Sequence, residues 1–336
     1  MKKIEKDSFI WKIESFSLSQ LIEDKGRISS FFTSKRNNTI KWSLTMYSKD
    51  LYGDNKDYIS LWLKLEDSSC FELAVLCGFY VLSVDGEKKH KEVTSIRKLN
   101  GIFTVCPCHQ FLKHDLLLSN DNNELLSNGN LIVGCEIFYY FCGISTANLS
   151  KNNNTEDTLD VLLDDIADLV KSSMFSDCDI KIEDSKINAC KCILAGRSEL
   201  FYSILAEQQY KTIPNTIKIN DFCLDIVEKM INYLDTGKSP NMSEMALEML
   251  KIAEKYNLKK LKLIAEESLI YNLSIENACE YLVCSELYSG EILKEWSLRF
   301  IYLNGENFFN SEKWKDVVSD HPLFVGKLFS VTFNID

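Results

Sequence analysis

The chain has 336 residues, with 38 basic and 49 acidic side chains and a formal net charge of −11. So acidic a surface repels phosphate backbones, which sets nucleic acid aside as a partner. Apolar residues make up 46% of the chain, enough for a core in each of two or three domains, while no apolar run approaches the ~20 residues of a membrane-crossing helix.

The N-terminal "MKKIEKDSFIWKIESF" mixes charges with apolar residues, so no secretory signal is expected there. From residue 8 to 143 the pattern is that of antiparallel strands. "SFIWKIESF" alternates, with Phe9, Trp11 and Ile13 on one side. "TIKWSLTMYS" places Ile40, Trp42, Leu44 and Met46 on one face. "YISLWLKLE" places Ile59, Leu61, Leu63 and Leu65 on one face and Tyr58, Ser60, Trp62 and Lys64 on the other. "FYVLSVDGEKK" is a strand running into an Asp-Gly hairpin turn, and "NLIVGCEIFYYF" closes the set. Several short strands separated by turn residues predict a β-sandwich.

"STANLSKNNNTED" (145–157) is polar, asparagine-rich and without period, the mark of a linker. The period then changes to that of helices. "TLDVLLDDIADLVKSS" sets Leu159, Leu162, Ile166, Leu169 and Val170 on one stripe, and acidic residues on the other faces. The stripe needs a cover, either from its own monomer or from a second copy. A short strand pair, "CDIKIEDSKINACKC", carries a turn-like Glu-Asp-Ser-Lys centre. Helices follow in "CILAGRSELFYSILAEQ", "CLDIVEKMINYLDTG", "SEMALEMLKIAEKYNLKKLKLIAEESLIYNL", "SIENACEYLVCSELY" and "GEILKEWSLRFIYLN". Ser274 with Asn277, and Asn241 or Ser243, are the expected helix starts.

Twelve cysteines are scattered, mostly inside apolar runs, as expected of reduced, buried thiols. The densest group, Cys106, Cys108, His109 and His114, lacks the paired C-x2-C spacing of a zinc site, and no metal is expected there. Cys190 and Cys192 pose the same question one domain later. Phosphate-binding glycine loops, G-x-S-x-G and H-E-x-x-H are all absent. Cys108 and His109 cannot form a nucleophile pair on one strand, because adjacent residues point to opposite faces.

Three stretches of the first half, "FIWKIESFS", "IKWSLTMYSKDLYGDNKDYISLWLKL" and "FLKHDLLL", resemble the MATH domain in order. In the second half "FSDCDIKI", "CKCILAGRSELF", "IKINDF", "YLDTGKSPN" and "LKIAEKYNLKKLKLIAEESL" resemble the BTB/POZ fold. "NLSIENACEYLVCSELYSGEILKEWSLRFI" and "WKDVVSDHPLFV" are similar to the helical extension called the three-box and BACK region. Nearly the whole chain thus resembles the MATH–BTB family, in its speckle-type POZ branch. The resemblance implies a MATH domain at 5–147, a linker at 148–157, a BTB/POZ domain at 158–271 and a three-box/BACK-like helical region at 272–336.

The family implies a non-catalytic substrate adaptor of a cullin-3 ubiquitin ligase. Its MATH groove holds an extended target peptide, and its BTB domain forms a homodimer and recruits the cullin. No cofactor is implied. The family's groove positions match Trp62, Cys77, Lys98, Thr104, Val105, Cys106, Pro107 and Cys108, of which Trp62 alone is aromatic. The lost rings predict a preference other than the usual Ser/Thr-rich peptide. The dimer-core positions match Leu162, Ile166, Leu169 and Ile193. The family's apolar-x-Glu cullin motif aligns with Gln209, Tyr210 and Lys211, which lack it, while Leu205-Ala206-Glu207 fits the motif four residues early. A dimeric peptide-binding scaffold without a cullin therefore stands as the alternative. Phe329 matches an aromatic of higher-order self-association. The basic nuclear tail of the family is missing, which favours the cytoplasm over the nucleus.

Overall fold

The computed structural model describes residues 4–18, 26–35, 37–49, 57–66, 71–100, 102–118, 124–144, 176–208, 216–242 and 244–333. The linker 145–157, the amphipathic stretch with Leu162, Ile166 and Leu169, and the triplet Gln209-Tyr210-Lys211 lie outside them. The chain divides into two units. One is residues 1–150 with 273–275 and 298–336, and the other is residues 151–272 with 276–297.

In the first unit the strands run β1 (Glu5–Ile13), β2 (Arg27–Ile28), β3 (Phe32–Thr33), β4 (Lys41–Tyr47), β5 (Tyr58–Leu65), β6 (Phe71–Leu82), β7 (Lys88–Val93), β8 (Arg97–Leu99) and β9 (Val105–Lys113). A short helix α1 (Asp115–Leu118), then β10 (Leu126–Ser127) and β11 (Asn130–Ile144), follow. They form two antiparallel sheets, ordered β1-β11-β6-β7 and β2-β4-β5-β9. Period-two alternation decides what lies between them. Trp42, Leu44 and Met46 from β4, Ile59, Leu61 and Leu63 from β5, and Leu73, Val75, Cys77, Phe79 and Val81 from β6 form one buried cluster. Phe9 and Trp11 pack against its edge from β1. The Asp-Gly hairpin forms as expected: Gly86 takes a φ of +81° between β6 and β7, which costs glycine nothing and a Cβ-bearing residue a clash.

The outer face of the first sheet is also buried. Leu76, Tyr80 and Phe138 point away from the sandwich core, yet are almost inaccessible. The cover comes from the C-terminal part of the same unit, residues 298–303 of helix α8 (Glu291–Leu303). A Cβ placed on Gly78 would meet the Leu303 side chain at 3.0 Å, and the Tyr302 ring stands edge-on to Phe138 at 6.1 Å. The unit ends in α9 (Gly305–Phe308), α10 (Glu312–Asp320) and α11 (Leu323–Phe333). In α11 Phe324 and Leu328, one helical turn apart, are buried, whereas Phe329 is exposed.

The second unit opens with the expected hairpin, β12 (Cys178–Ile182) and β13 (Ser185–Ala189), with β14 (Thr216–Lys218) parallel to β12. Helices α2 (Lys191–Arg197), α3 (Glu199–Gln208), α4 (Leu224–Thr236), α5 (Ala246–Lys255), α6 (Lys259–Tyr271) and α7 (Ala278–Leu287) follow, with the start of α8. Two stretches that read as continuous in sequence are broken. Ser198 adopts an extended conformation between α2 and α3, and Asn257 takes a φ of +52° between α5 and α6. Helix α5 takes Met245 as its cap residue, four positions past Asn241, and Ser243 lies outside the described residues. Asn277 does sit at the cap position of α7, although its side chain accepts no capping bond from the helix and its amide donates to the Asn272 carbonyl at 2.8 Å.

Candidate functional site

Alternation along β9 sorts the residues matched to the peptide groove. Cys106 and Cys108 turn into the sandwich, while Val105 and Pro107 face outward. The register pairs Pro107 with Trp62 on β5, and Trp62 in turn with Thr45 on β4. Trp62 packs edge-on against Tyr47 at 5.5 Å and against His109 at 5.9 Å. One outer face of the second sheet therefore carries Tyr47, Thr45, Trp62, Pro107 and His109. The sequence alone places neither Tyr47 nor Thr45 in a site, and it brings in His109 only as a metal ligand or nucleophile partner. The signal was present in the same period-two pattern, but only the strand register shows that they adjoin Trp62.

The backbone of β9 adds a second feature. The Leu65 N–H donates to the Thr104 carbonyl at 2.8 Å. In an antiparallel ladder the next two hydrogen-bonded positions on β9 are then Cys106 and Cys108. Val105 and Pro107 consequently direct their main-chain polar groups away from β5, toward the open side of the sheet, because β9 ends the strand order. That edge offers the carbonyls of both residues and the N–H of Val105. Pro107 has no N–H to offer.

The remaining matched positions do not join this face. Cys77 is fully buried on β6, where Thr94 Oγ1 accepts from its N–H at 3.2 Å. Cys106 donates through Sγ to the same hydroxyl at 3.3 Å. The Cys106 thiol thus reaches across to Thr94 just past the end of β7, while Cys77 engages Thr94 only through its main-chain N–H, and both side chains are buried. Lys98 lies on β8 of the other sheet and pairs with Glu72 at 2.8 Å. Burial holds the Cys77, Cys106 and Cys108 thiols above their ordinary range. A nucleophile must be thiolate, so these three are poor candidates for covalent chemistry. His114 hydrogen-bonds the Ser48 carbonyl at 2.7 Å instead of joining the cysteines, and no group of three metal-ligating side chains occurs among the described residues.

In the second unit, "CKCILAGRSELF" runs from β13 into α2 and α3. Cys190 occupies the cap position of α2. Ser198 starts α3 by accepting from the Phe201 N–H at 3.3 Å, while its own hydroxyl donates to the Tyr256 carbonyl at 2.7 Å. Phe201 is buried and stacks on Tyr256 at 4.5 Å between centroids. Arg197 donates to the Leu234 carbonyl at 2.8 Å, near the C-terminal end of α4. The stretch is thus a structural corner. It leaves Ile193 half-buried on α2 and Tyr202 exposed on α3. Leu205 is half-buried and Glu207 exposed near the end of α3. Two residues apart on a helix, they face different ways. Tyr202 and Leu205, three apart, share a face.

Comparison with known proteins shows what these two units are similar to. A MATH-domain profile matches residues 8–137, and a BTB/POZ-domain profile matches residues 166–273. TD and POZ domain-containing protein 1-like from Mus musculus is 29% identical over 328 residues, covering 97% of this chain and 90% of the mouse protein. TD and POZ domain-containing protein 1 from the same species is 29% identical over 334 residues, with 97% and 90% covered.

Proposed function

From the premise that this chain carries a MATH domain followed by a BTB/POZ domain, we propose that it is a substrate adaptor of a cullin-3 ubiquitin ligase. The MATH domain binds a target peptide, and the BTB domain joins two copies and recruits the cullin. The observation that carries the proposal is the pairing of both interaction modules on one chain that resembles its mouse relatives from end to end. The adaptor performs no chemistry. It raises the local concentration of the target beside the ligase, and two copies add avidity.

We assign the peptide seat to the β9 edge and the face made by Trp62, Tyr47, Val105, Pro107 and His109. An extended peptide can add there as a strand, with one donor fewer than usual at Pro107. Thr104 lies at the start of that edge, and Lys98 stands apart from it. The dimer seam falls to Leu162, Ile166, Leu169 and Ile193. Burial of such a stripe between copies contributes several kcal/mol at about 25 cal/mol per Å². The cullin contact falls to Tyr202 and Leu205 on α3 with Glu207, and to Gln209-Tyr210-Lys211 after it. Phe329, exposed on α11, supplies a surface for further self-association.

The divided faces of Leu205 and Glu207, with the departure at 209–211, favour a second reading: a dimeric peptide-binding scaffold that engages no cullin. One experiment covers both. The full chain and its Leu162→Asp/Ile166→Asp variant are sedimented, and each is used to pull down cullin-3. A dimer that becomes a monomer in the variant, and captures cullin-3 in its native form, supports the adaptor. A dimer that captures none leaves the scaffold, and an unchanged mass in the variant sinks the seam assignment.

A further inference from the structure

The corner that opens α2 holds one more feature. The Sγ atoms of Cys190 and Cys192 lie 3.2 Å apart. Cys190 is half-buried, and Cys192 is exposed. The turn that presents them is pinned on both sides. The Asp177 carboxylate accepts from the Lys191 N–H at 2.8 Å, and the Cys190 carbonyl accepts from the Ile193 and Leu194 N–H groups at 3.1 Å each. Cys190 itself is extended, with φ −106° and ψ 119°, and its side chain makes no capping bond to the helix. Both sulfurs are therefore held in contact by backbone that neither of them supports.

A disulfide needs its sulfurs at about 2.05 Å, so side-chain rotation must close little more than an ångström. The resulting ring spans three residues. So short a loop removes little entropy from the unfolded chain, and an exposed bond of this kind is an easily reduced one. Position separates this pair from the other described cysteines. Cys77 and Cys135 also neighbour each other, but are shut in the sandwich core. Cys223 is exposed, and among the described residues no sulfur contact of the kind joining Cys190 to Cys192 accompanies it.

We propose that Cys190 and Cys192 form a reversible dithiol–disulfide pair, closed by exchange with a low-molecular-weight disulfide. In the first step the Cys192 thiolate, formed more readily as pH rises because the neighbouring Cys190 sulfur holds this thiol above its ordinary range, attacks one sulfur of the small disulfide. A mixed disulfide forms and one small thiolate leaves. In the second step the Cys190 thiolate attacks the Cys192 sulfur, the intrachain bond forms and the second small thiolate leaves. Two electrons pass from the protein to the small disulfide, and the two protein thiol protons end on the two released thiols. Excess small thiol reverses both steps.

The test uses the full chain in buffers of increasing oxidised-to-reduced glutathione ratio, up to one that modifies Cys223. Free thiols are then blocked with N-ethylmaleimide and the chain is cut with trypsin. Lys191 separates the two cysteines, so fragments 187–191 and 192–197 part when the thiols are free and stay joined when they are bonded. The expected result is joined fragments carrying no maleimide, both labels lost together, from a chain that runs at monomer mass on a non-reducing gel. Excess thiol should restore both labels. In the Cys190→Ser variant Cys192 should instead retain a single glutathione. Joined fragments found only at twice the monomer mass, or separate glutathione adducts or maleimide labels on both residues once Cys223 reacts, would overturn the pair.

Discussion

Glu136 shows how one buried charge is made tolerable. It lies on β11, nearly inaccessible, with Lys6 at 3.0 Å and Lys88 at 3.2 Å. The Tyr302 hydroxyl donates to it at 3.2 Å. Burial pushes this carboxyl upward, but the two ammonium groups more than offset it and leave it below the usual glutamate range. The folded state therefore favours the ionised form. Its contribution is present above the ordinary value of about 4.3, and is lost as pH falls through the lower folded value. Glu136→Gln removes the charge and leaves Lys6 half-enclosed without its counter-ion. We expect a loss of about 1–3 kcal/mol at neutral pH and a flatter stability profile in acid, both read from urea unfolding against pH. An unaltered acid limb would show that the network contributes no linkage.

At the scale of elements, helix α8 begins on a carboxylate supplied by another helix. Glu266 of α6 is buried, and its Oε2 accepts from the Leu293 N–H at 2.9 Å, in the first turn of α8. A helix start has such donors to spare, and a carboxylate there also meets the positive end of the helix dipole. Desolvation nevertheless dominates, and holds Glu266 above the usual range despite those N–H groups. The sign is opposite to that of Glu136. The folded chain keeps this proton longer than the unfolded one, so stability falls as pH rises from about 4.3 through the raised folded value. Glu266→Gln keeps an acceptor for Leu293 without the charge. Thermal melts should place its midpoint above the parent's at pH 8, with little difference at pH 4. A large loss at both pH values would mean that the charged form, acting on the helix end, is the stabilising one.

For the whole molecule, the adaptor proposal makes two peptide seats per dimer the functional unit. Linking two copies of a bound segment turns the second docking into an intramolecular event, worth about 10²–10⁴ in apparent affinity where the linker spans both seats. We expect a tandem peptide to outbind the single copy by at least about 10²-fold in fluorescence polarisation. In Leu162→Asp/Ile166→Asp the advantage should vanish, while the single-copy affinity stays unchanged. Equal binding of single and tandem peptides by the native chain, across a range of linker lengths, would remove avidity from the proposal.

Much of this was legible in order of residues. Period-two runs such as 40–46 and 59–65 bury the faces they predict, because a strand alternates whatever surrounds it. The Asp-Gly turn and the hairpin at 178–189 follow equally from local chemistry. What the sequence could not give was adjacency. Only the pairing of β4, β5 and β9 sets Tyr47, Trp62, Pro107 and His109 side by side, and only the core shows Cys77 and Cys106 turned inward. Nor does local periodicity predict that the outer face of β6 and β11, with Leu76, Tyr80 and Phe138, is covered from residues 298–303. A chain encodes which side of each element is apolar through short-range alternation. Which apolar side meets which is settled by long-range packing, where shape and register choose among many compatible partners.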